Sequence, residues 1–288
     1  MHRNAFKTAA LLAVMGALFI GIGGAFFGRG GLFIGLALGL AVTGASYWWS
    51  DSIAIRAARA VPVTEAQMPE YYAIVRDLTQ RAGMPMPRLY VTDDAQPNAF
   101  ATGRNPEHAA VAVTRGILEV CTWDELRGVL AHEISHVGNR DILISSVAAA
   151  VAMAITLLAR MAAWSALFMG GRSDENEGQN IFELLAMIIL APLAATLLQL
   201  ALSRSREYQA DLSGARLIGD GEPLARALEK LEVASRRVPM PGVRPEMAGL
   251  YIVNPLNGRQ IAFKNWFSDH PPTEDRIARL RAGQWAHQ

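Results

Sequence analysis

Only one cysteine, Cys121, stands among the 288 residues. That excludes an internal disulfide framework and any zinc cluster ligated by cysteines. A fold without disulfides suits a reducing compartment. No activating neighbour can be named for Cys121, which therefore reads as a small buried residue rather than a nucleophile. Charge of one sign is missing too: 27 Lys and Arg against 26 Asp and Glu leave a net +1. There is neither a basic run nor a patch of basic residues interleaved with aromatics, so nucleic acid is excluded as a partner. Charge of either sign is scarce, at 18% of residues, while 51% are hydrophobic and the mean hydropathy is +0.19. That balance points to a membrane protein more than to a soluble globule.

The missing charges leave long apolar runs. Residues 8–27 have none, over the length a helix needs to cross a bilayer. Residues 31–49 repeat the pattern after Gly28-Arg29-Gly30, and together the two runs predict a transmembrane hairpin within residues 1–50. A cleaved signal peptide would have a shorter apolar region and no second span directly behind it. Tyr47, Trp48 and Trp49 close the second run where an interfacial aromatic belt belongs. Two further runs, 142–160 and 181–202, predict a second helical hairpin over 142–203, transmembrane or membrane-associated, around an acidic outer loop at 170–180. The alternative for this pair is a hydrophobic helical hairpin inside a large soluble core. Arg3 and Lys7 before the first span, and Arg56 and Arg59 after the second, place both ends of the first hairpin on the cytoplasmic side.

Residues 51–141 and 204–288 have the composition of a soluble domain in two parts. Thr64-Glu65-Ala66-Gln67 is a capping box that predicts a helix over 64–81, with Gly83 and Pro85 as its stop. Residues 88–91 and 109–113 predict short strands of a small sheet, separated by a Pro-Asn and Gly-Arg-Asn-Pro loop. Thr122-Trp123-Asp124-Glu125 is a second capping box, opening a helix with Leu126, Val129, Leu130 and Val137 on its buried side. Residues 222–236 predict an amphipathic helix with Leu224, Leu228 and Leu231 as its stripe. The proline-rich stretch 237–265 reads as irregular chain able to cover a cleft. A last helix at 273–281 reads as a docking element.

The helix after Thr122 carries Ala131-His132-Glu133-Ile134-Ser135-His136. Its two histidines lie one turn apart on one face and can grip a single divalent ion. Glu133 lies about 100° round the helix, where it can work on a water activated by the metal instead of ligating it. A catalytic zinc takes three protein ligands and leaves one position open, so one ligand remains to be found. The chain enters the second hairpin just after His136 and returns near Ser203 on the same side. At about 1.5 Å per helical residue, His136 and Glu207 each lie within roughly 10 Å of the membrane face. Glu207 is therefore available as the third ligand. Asp211, one turn further, can accept a hydrogen bond from the free ring nitrogen of a ligating histidine. Taken without the motif, the same stretch is a polar juxtamembrane helix whose Arg204 and Arg206 meet anionic head groups.

His132-Glu133-Ile134-Ser135-His136 with Asn139-Arg140-Asp141, followed by residues 204–211, resembles the HtpX family of membrane-bound zinc metalloproteases, relatives of the CAAX prenyl protease. The resemblance extends to Pro97-Asn98-Ala99-Phe100-Ala101-Thr102-Gly103, Val113-Thr114-Arg115-Gly116, Asn254-Pro255 and His270-Pro271-Pro272-Thr273-Glu274. Asp269 departs from it, standing where the family pattern carries a hydroxyl residue. The resemblance implies one Zn2+ per chain on His132, His136 and Glu207, with Glu133 as general base. It also implies a multi-pass protein of the cell membrane whose active site faces the cytoplasm and cuts misfolded, damaged or unfolded membrane proteins. Asn98, Ala99 and Phe100 are then expected along the cleft, paired with extended substrate.

The fold expected is mainly α: four transmembrane helices plus a cytoplasmic zincin-like α+β metalloprotease domain with a small sheet. In the reaction, zinc lowers the pKa of a water to about 7 and polarises the scissile carbonyl while Glu133 moves the proton to the leaving amine. A developing oxyanion needs a further donor, and His270, Arg204 and Tyr208 are all open candidates. For His270 the other reading is a helix-entry residue before Pro271-Pro272. Intramembrane cleavage and prenyl-protein processing are the competing enzymatic functions. A scaffold with a zinc staple is the non-enzymatic one.

Overall fold

The structure is a computed structural model and describes residues 2–139, 141–153, 155, 204–237, 245–253 and 271–286. Helix α1 (His2–Trp48) folds back at Gly28, whose φ of 60° and ψ of −145° suit glycine alone. Beyond the break, Gly28–Trp48 is long and apolar enough to cross a membrane. Leu32, Phe33, Ile34, Leu36, Leu38 and Leu40 are exposed along it, Phe33 by 76%. The two arms pack so closely that a Cβ on Gly35 would collide with the Phe19 carbonyl oxygen. At the hairpin's end, the Arg104 guanidinium lies 5.0 Å from the Trp48 ring centroid and donates to the Trp48 carbonyl at 3.0 Å. Helix α2 (Ser50–Ala57) follows.

Strands β1 (Val61–Pro62), β2 (Arg88–Thr92), β3 (Ala99–Gly103) and β4 (Ala109–Thr114) form one mixed sheet in the order β1-β2-β4-β3. Only β2 and β4 run parallel; the outer pairs are antiparallel. Both faces are covered. Ala99, Ala101, Val111 and Val113 point into the main core, while Phe100, Ala110 and Ala112 point into a second apolar cluster, as the two-residue period of a strand requires. The sheet has two strands beyond those read at 88–91 and 109–113, although the family resemblance already had Asn98–Phe100 as extended chain. Val61–Pro62 is too short to carry a pattern, and β3 is built largely of small residues whose strand state comes from its antiparallel register Ala99↔Val113 to Gly103↔Ala109.

Helix α3 (Pro69–Ala82) starts five residues later than its capping box suggests. The Gln67 side chain does accept from the Thr64 amide at 2.8 Å, but it closes a turn, and the helix begins at Pro69, whose missing N–H is harmless at a first position. Helix α4 (Arg115–Val120) leads to α5 (Trp123–Gly138). There the capping box is complete: Glu125 N–H donates to Thr122 Oγ1 at 3.3 Å and Thr122 N–H to Glu125 Oε2 at 2.8 Å. Helices α7 (Arg204–Ile218), α8 (Glu222–Arg237) and α9 (Thr273–Arg281) pack around it, with Leu224, Leu228 and Leu231 buried in the main core.

Helix α6 (Asp141–Met153) lies between α5 and the undescribed part of the chain. The sequence reads 142–160 as transmembrane or membrane-associated; in its described part, residues 147–153 are buried in the second cluster, together with Phe100, Ala110 and Ala112 of the sheet. Val147-Ala148-Ala149-Ala150-Val151-Ala152 makes a thin helix that neighbours can approach all round, and an all-round apolar helix is equally suited to a protein core. Its one deeply buried hydroxyl, Ser146, meets β3: Oγ lies 2.8 Å from Thr102 Oγ1 and accepts from the Gly103 amide at 3.3 Å. Apart from Ile155, the rest of that run, the whole of 181–202, and residues 238–244 and 254–270 lie outside the described residues.

Candidate metal centre

Helix α5 is buried on nearly all sides, and α7 crosses it closely enough that a Cβ on Gly214 would lie 2.8 Å from the His132 amide nitrogen. This contact brings Glu207 to the histidines. His132 Nε2 and His136 Nε2 are 3.2 Å apart, and each lies 3.6 Å from an oxygen of the Glu207 carboxylate. One ligand atom from each of the three side chains lies within 4.8 Å of the others. A tetrahedral zinc with bonds near 2.0–2.1 Å separates its nitrogen and oxygen ligands by about 3.3 Å, so the donor set fits a zinc-sized divalent cation.

Neighbouring carboxylates orient both rings. Asp211 Oδ1 lies 2.8 Å from His132 Nδ1, and Asp141 Oδ2 lies 3.5 Å from His136 Nδ1. Each ring thus turns its Nε2 toward Glu207. Burial works against charge on His136, but Glu207, Asp141 and Glu133 outweigh it and raise its pKa to about 10. His132 is also raised, its burial outweighed by Asp211 and Glu207. Burial would raise Glu207, yet the two histidines hold it well below the usual carboxylate range. The cluster favours positive charge at its centre, which a divalent cation supplies.

Glu133 is 2% exposed and lines the same cavity as His132, His136 and Glu207, with the backbone amide of Ala101 in β3 close enough to favour its charged form. Burial, joined by Glu207, raises its pKa against the pull of the histidines and that amide. A carboxylate poised this way takes up and releases a proton more readily than an exposed one. The cavity, of about 30 Å3, is lined by Ala101, Ser145, Gly249, Leu250 and Tyr251 as well as by the motif. That volume holds water but no peptide.

Of the three open candidates for an oxyanion donor, the two among the described residues do not line this cavity. Arg204 is exposed, and Tyr208 lies under the Arg279 guanidinium, 4.0 Å from its ring centroid; neither lines the cavity. His270 lies outside the described residues. Asn98, Ala99 and Phe100 are buried, and their outward edge is taken by the chain itself. Ile252 N–H donates to the Ala99 carbonyl at 3.0 Å, Asn98 Nδ2 donates to the Val253 carbonyl at 2.7 Å, and Phe100 bridges Tyr251. Sequence reasoning missed Asp141, Arg276 and residues 249–253 as parts of the centre. Asp141 follows His136 by just over one helical turn, and Arg276 lies four residues before buried Leu280, a charge in an apolar stripe; both were legible signals.

A donor set of two histidines and a glutamate that could hold a metal ion, with a further buried glutamate beside it, is of the class that metal-dependent peptidases use. Residues 65–284 match peptidase family M48, and the chain belongs to that family and is a metalloprotease. It is 54% identical over 281 residues to a protease HtpX homolog of Syntrophobacter fumaroxidans, covering 97% of this chain and 99% of the relative. It is 49% identical to a protease HtpX homolog of Desulforapulum autotrophicum, covering 97% and 90%. The fold is shared with the crystal structure of S. mikatae Ste24p at 20% identity and a TM-score of 0.52; the match covers 96% of this chain and 65% of that one.

Proposed function

We propose that the chain is a zinc endopeptidase that sits at the cytoplasmic face of a membrane and cleaves misfolded, damaged or unfolded membrane proteins. The observation that carries this reading is the spacing of His132, His136 and Glu207, 3.2–3.6 Å between donor atoms, with buried Glu133 beside them. The bilayer is engaged by the hairpin of 8–27 and 31–49 and by a second pair, 142–160 and 181–202, transmembrane or membrane-associated. Exposed Trp48 and Trp49 beside Arg104 support placing the domain against the interface, and the flanking arginines support its cytoplasmic side.

In the proposed reaction His132, His136 and Glu207 hold one zinc, Asp211 and Asp141 keep the rings in register, and Glu133 handles protons. Bound zinc supplies Lewis acidity, acidifying the attacking water and polarising the scissile carbonyl. Glu133 removes a proton from the water as its oxygen bonds to the carbonyl carbon, then gives it to the departing amine nitrogen as the C–N bond breaks. The extended substrate pairs with β3 at Asn98–Phe100. Ile252 and Val253 already lie there in hydrogen bonds to Ala99 and Asn98, which supports an edge able to bind main chain and implies that residues 249–253 move when peptide enters.

Metal content and cleavage test the reading together. The purified full-length chain should hold one zinc, lost in His132→Ala and in Glu207→Ala. Glu133→Gln should keep zinc and fail to cleave an unfolded membrane protein. A wild type without zinc, or a Glu133→Gln variant that still cleaves, would refute it.

A further inference from the structure

Arg276 is 1% exposed and is the largest fully buried side chain among the described residues. It stands on α9, the helix that the sequence reads as a docking element. A buried guanidinium is costly unless its donors are satisfied and its charge is met. Here Nε donates to Asp211 Oδ2 at 2.8 Å and Nη2 to Asp211 Oδ1 at 2.7 Å, the two-pronged fork that arginine alone can offer a carboxylate. Nη1 donates to the Ile252 carbonyl at 3.0 Å. The Asp211 oxygen that receives Nη2 is the one 2.8 Å from His132 Nδ1.

These bonds form a series. The guanidinium cannot lose its proton, so Asp211 must accept from it and can accept only from His132 on its other side. His132 then carries its ring proton on Nδ1 and leaves the Nε2 lone pair toward Glu207 and His136. The third prong fixes Ile252, whose own N–H is bonded to Ala99 on the β3 edge. One side chain near the C-terminus therefore touches both the support of a metal ligand and the segment that lies beside the cavity.

Resting on the metalloprotease reading above, we propose that Arg276 is a positioning residue of the metal centre, setting the tautomer and tilt of His132 through Asp211. The last helix is then a working part of the centre and not only a packing element. Loss of a partner that supports a metal ligand typically weakens metal binding 10–100-fold.

The test is the zinc affinity of the full-length chain in detergent, measured by competition with a chromophoric chelator, with the visible spectrum of the cobalt-substituted protein as a second readout. Arg276→Gln should weaken zinc about 10–100-fold and alter the cobalt spectrum. Arg276→Lys should fall between it and the wild type, since an ammonium cannot reach both oxygens at once. Adding Arg276→Gln to Asp211→Asn should cost no further affinity, because residues acting in series do not add. Wild-type zinc affinity in both Arg276 variants, or a full second penalty in the double variant, would overturn the proposal. A role in packing alone would lower the melting temperature under chelator and leave affinity unchanged. If Arg276→Gln does not fold, Arg276→Lys, which keeps the buried charge, carries the test. A wild type that takes up no zinc would instead overturn the metalloprotease reading.

Discussion

The two walls of the cavity are made of different materials. The inner wall, His132, His136 and Glu207 with Asp141, Asp211 and Arg276, is held by charged groups bonded to one another on helices α5, α6, α7 and α9. The outer wall, Ala101 with Gly249, Leu250 and Tyr251, is apolar side chain and main chain from segments far apart in the sequence. Charge networks in a buried setting are stiff, because each broken bond leaves a desolvated group. Apolar contact and a few edge hydrogen bonds yield at lower cost. A protease needs this asymmetry, since its metal must stay in place while polypeptide enters. The comparison breaks if perturbing one wall is felt equally in the other.

The largest expected effect falls on chemistry alone. Glu133→Gln should lower kcat by about 10^3-fold, roughly 4 kcal/mol of barrier, with zinc affinity close to wild type. A large loss of zinc in this variant would mean that Glu133 belongs to the metal wall and not between the two. Next comes the outer wall. Leu250→Ala removes a buried side chain that lines the cavity and should cost about 2–5 kcal/mol of stability under chelator, read by denaturant unfolding. Zinc affinity in the folded protein should stay within twofold. A tenfold loss of zinc there would join the walls into one unit.

Gly214→Ala probes the seam between α5 and α7. The new methyl would meet the His132 amide nitrogen at 2.8 Å and the Ala131 carbonyl carbon at 3.0 Å, both main-chain atoms that cannot swing away. Separating the helices should cost about 1–3 kcal/mol and weaken zinc, because Glu207 moves with α7. Unchanged zinc affinity would show that the ligand distances tolerate a shift of the helix.

The inner wall was far more legible in the sequence than the outer one, for a physical reason. The His132–His136 spacing, the Thr122 capping box and the Leu224, Leu228 and Leu231 stripe are all written in helical periods of a few residues. They can be read without knowing what lies opposite. Strand β3 is, apart from Phe100, made of small residues with no apolar alternation, and it is a strand because β4 pairs with it. Residues 249–253 became a wall of the cavity through bonds to Asn98 and Ala99, about 150 positions earlier in the chain. Arg276 illustrates the boundary between the two: its place in the buried stripe with Leu280 was visible, but its partner Asp211 was not. Helix α6 shows a different limit: an all-round apolar run reads alike whether lipid or protein covers it, and protein covers residues 147–153.

The smallest expected effect is an acid dependence at the root of the inner wall. Glu125 closes the capping box of α5 and also accepts from Lys230 Nζ at 2.7 Å. Burial would raise its pKa, but the bonds from Lys230 and Thr122 outweigh that and lower it from the ordinary value of 4.5. A carboxylate lowered in the folded state adds stability that is fully present above its unfolded pKa and is lost as the pH falls through the folded one. The contribution is on the order of 1 kcal/mol or less, since Lys230 is partly exposed and solvent screens the pair. Glu125→Gln keeps an oxygen for the Thr122 amide but cannot titrate. Under chelator the wild type should be slightly more stable than the variant near pH 7, and the gap should close below about pH 4.5. A gap that persists unchanged into acid would show that the cap works by shape rather than charge, and that the inner wall begins only at His132.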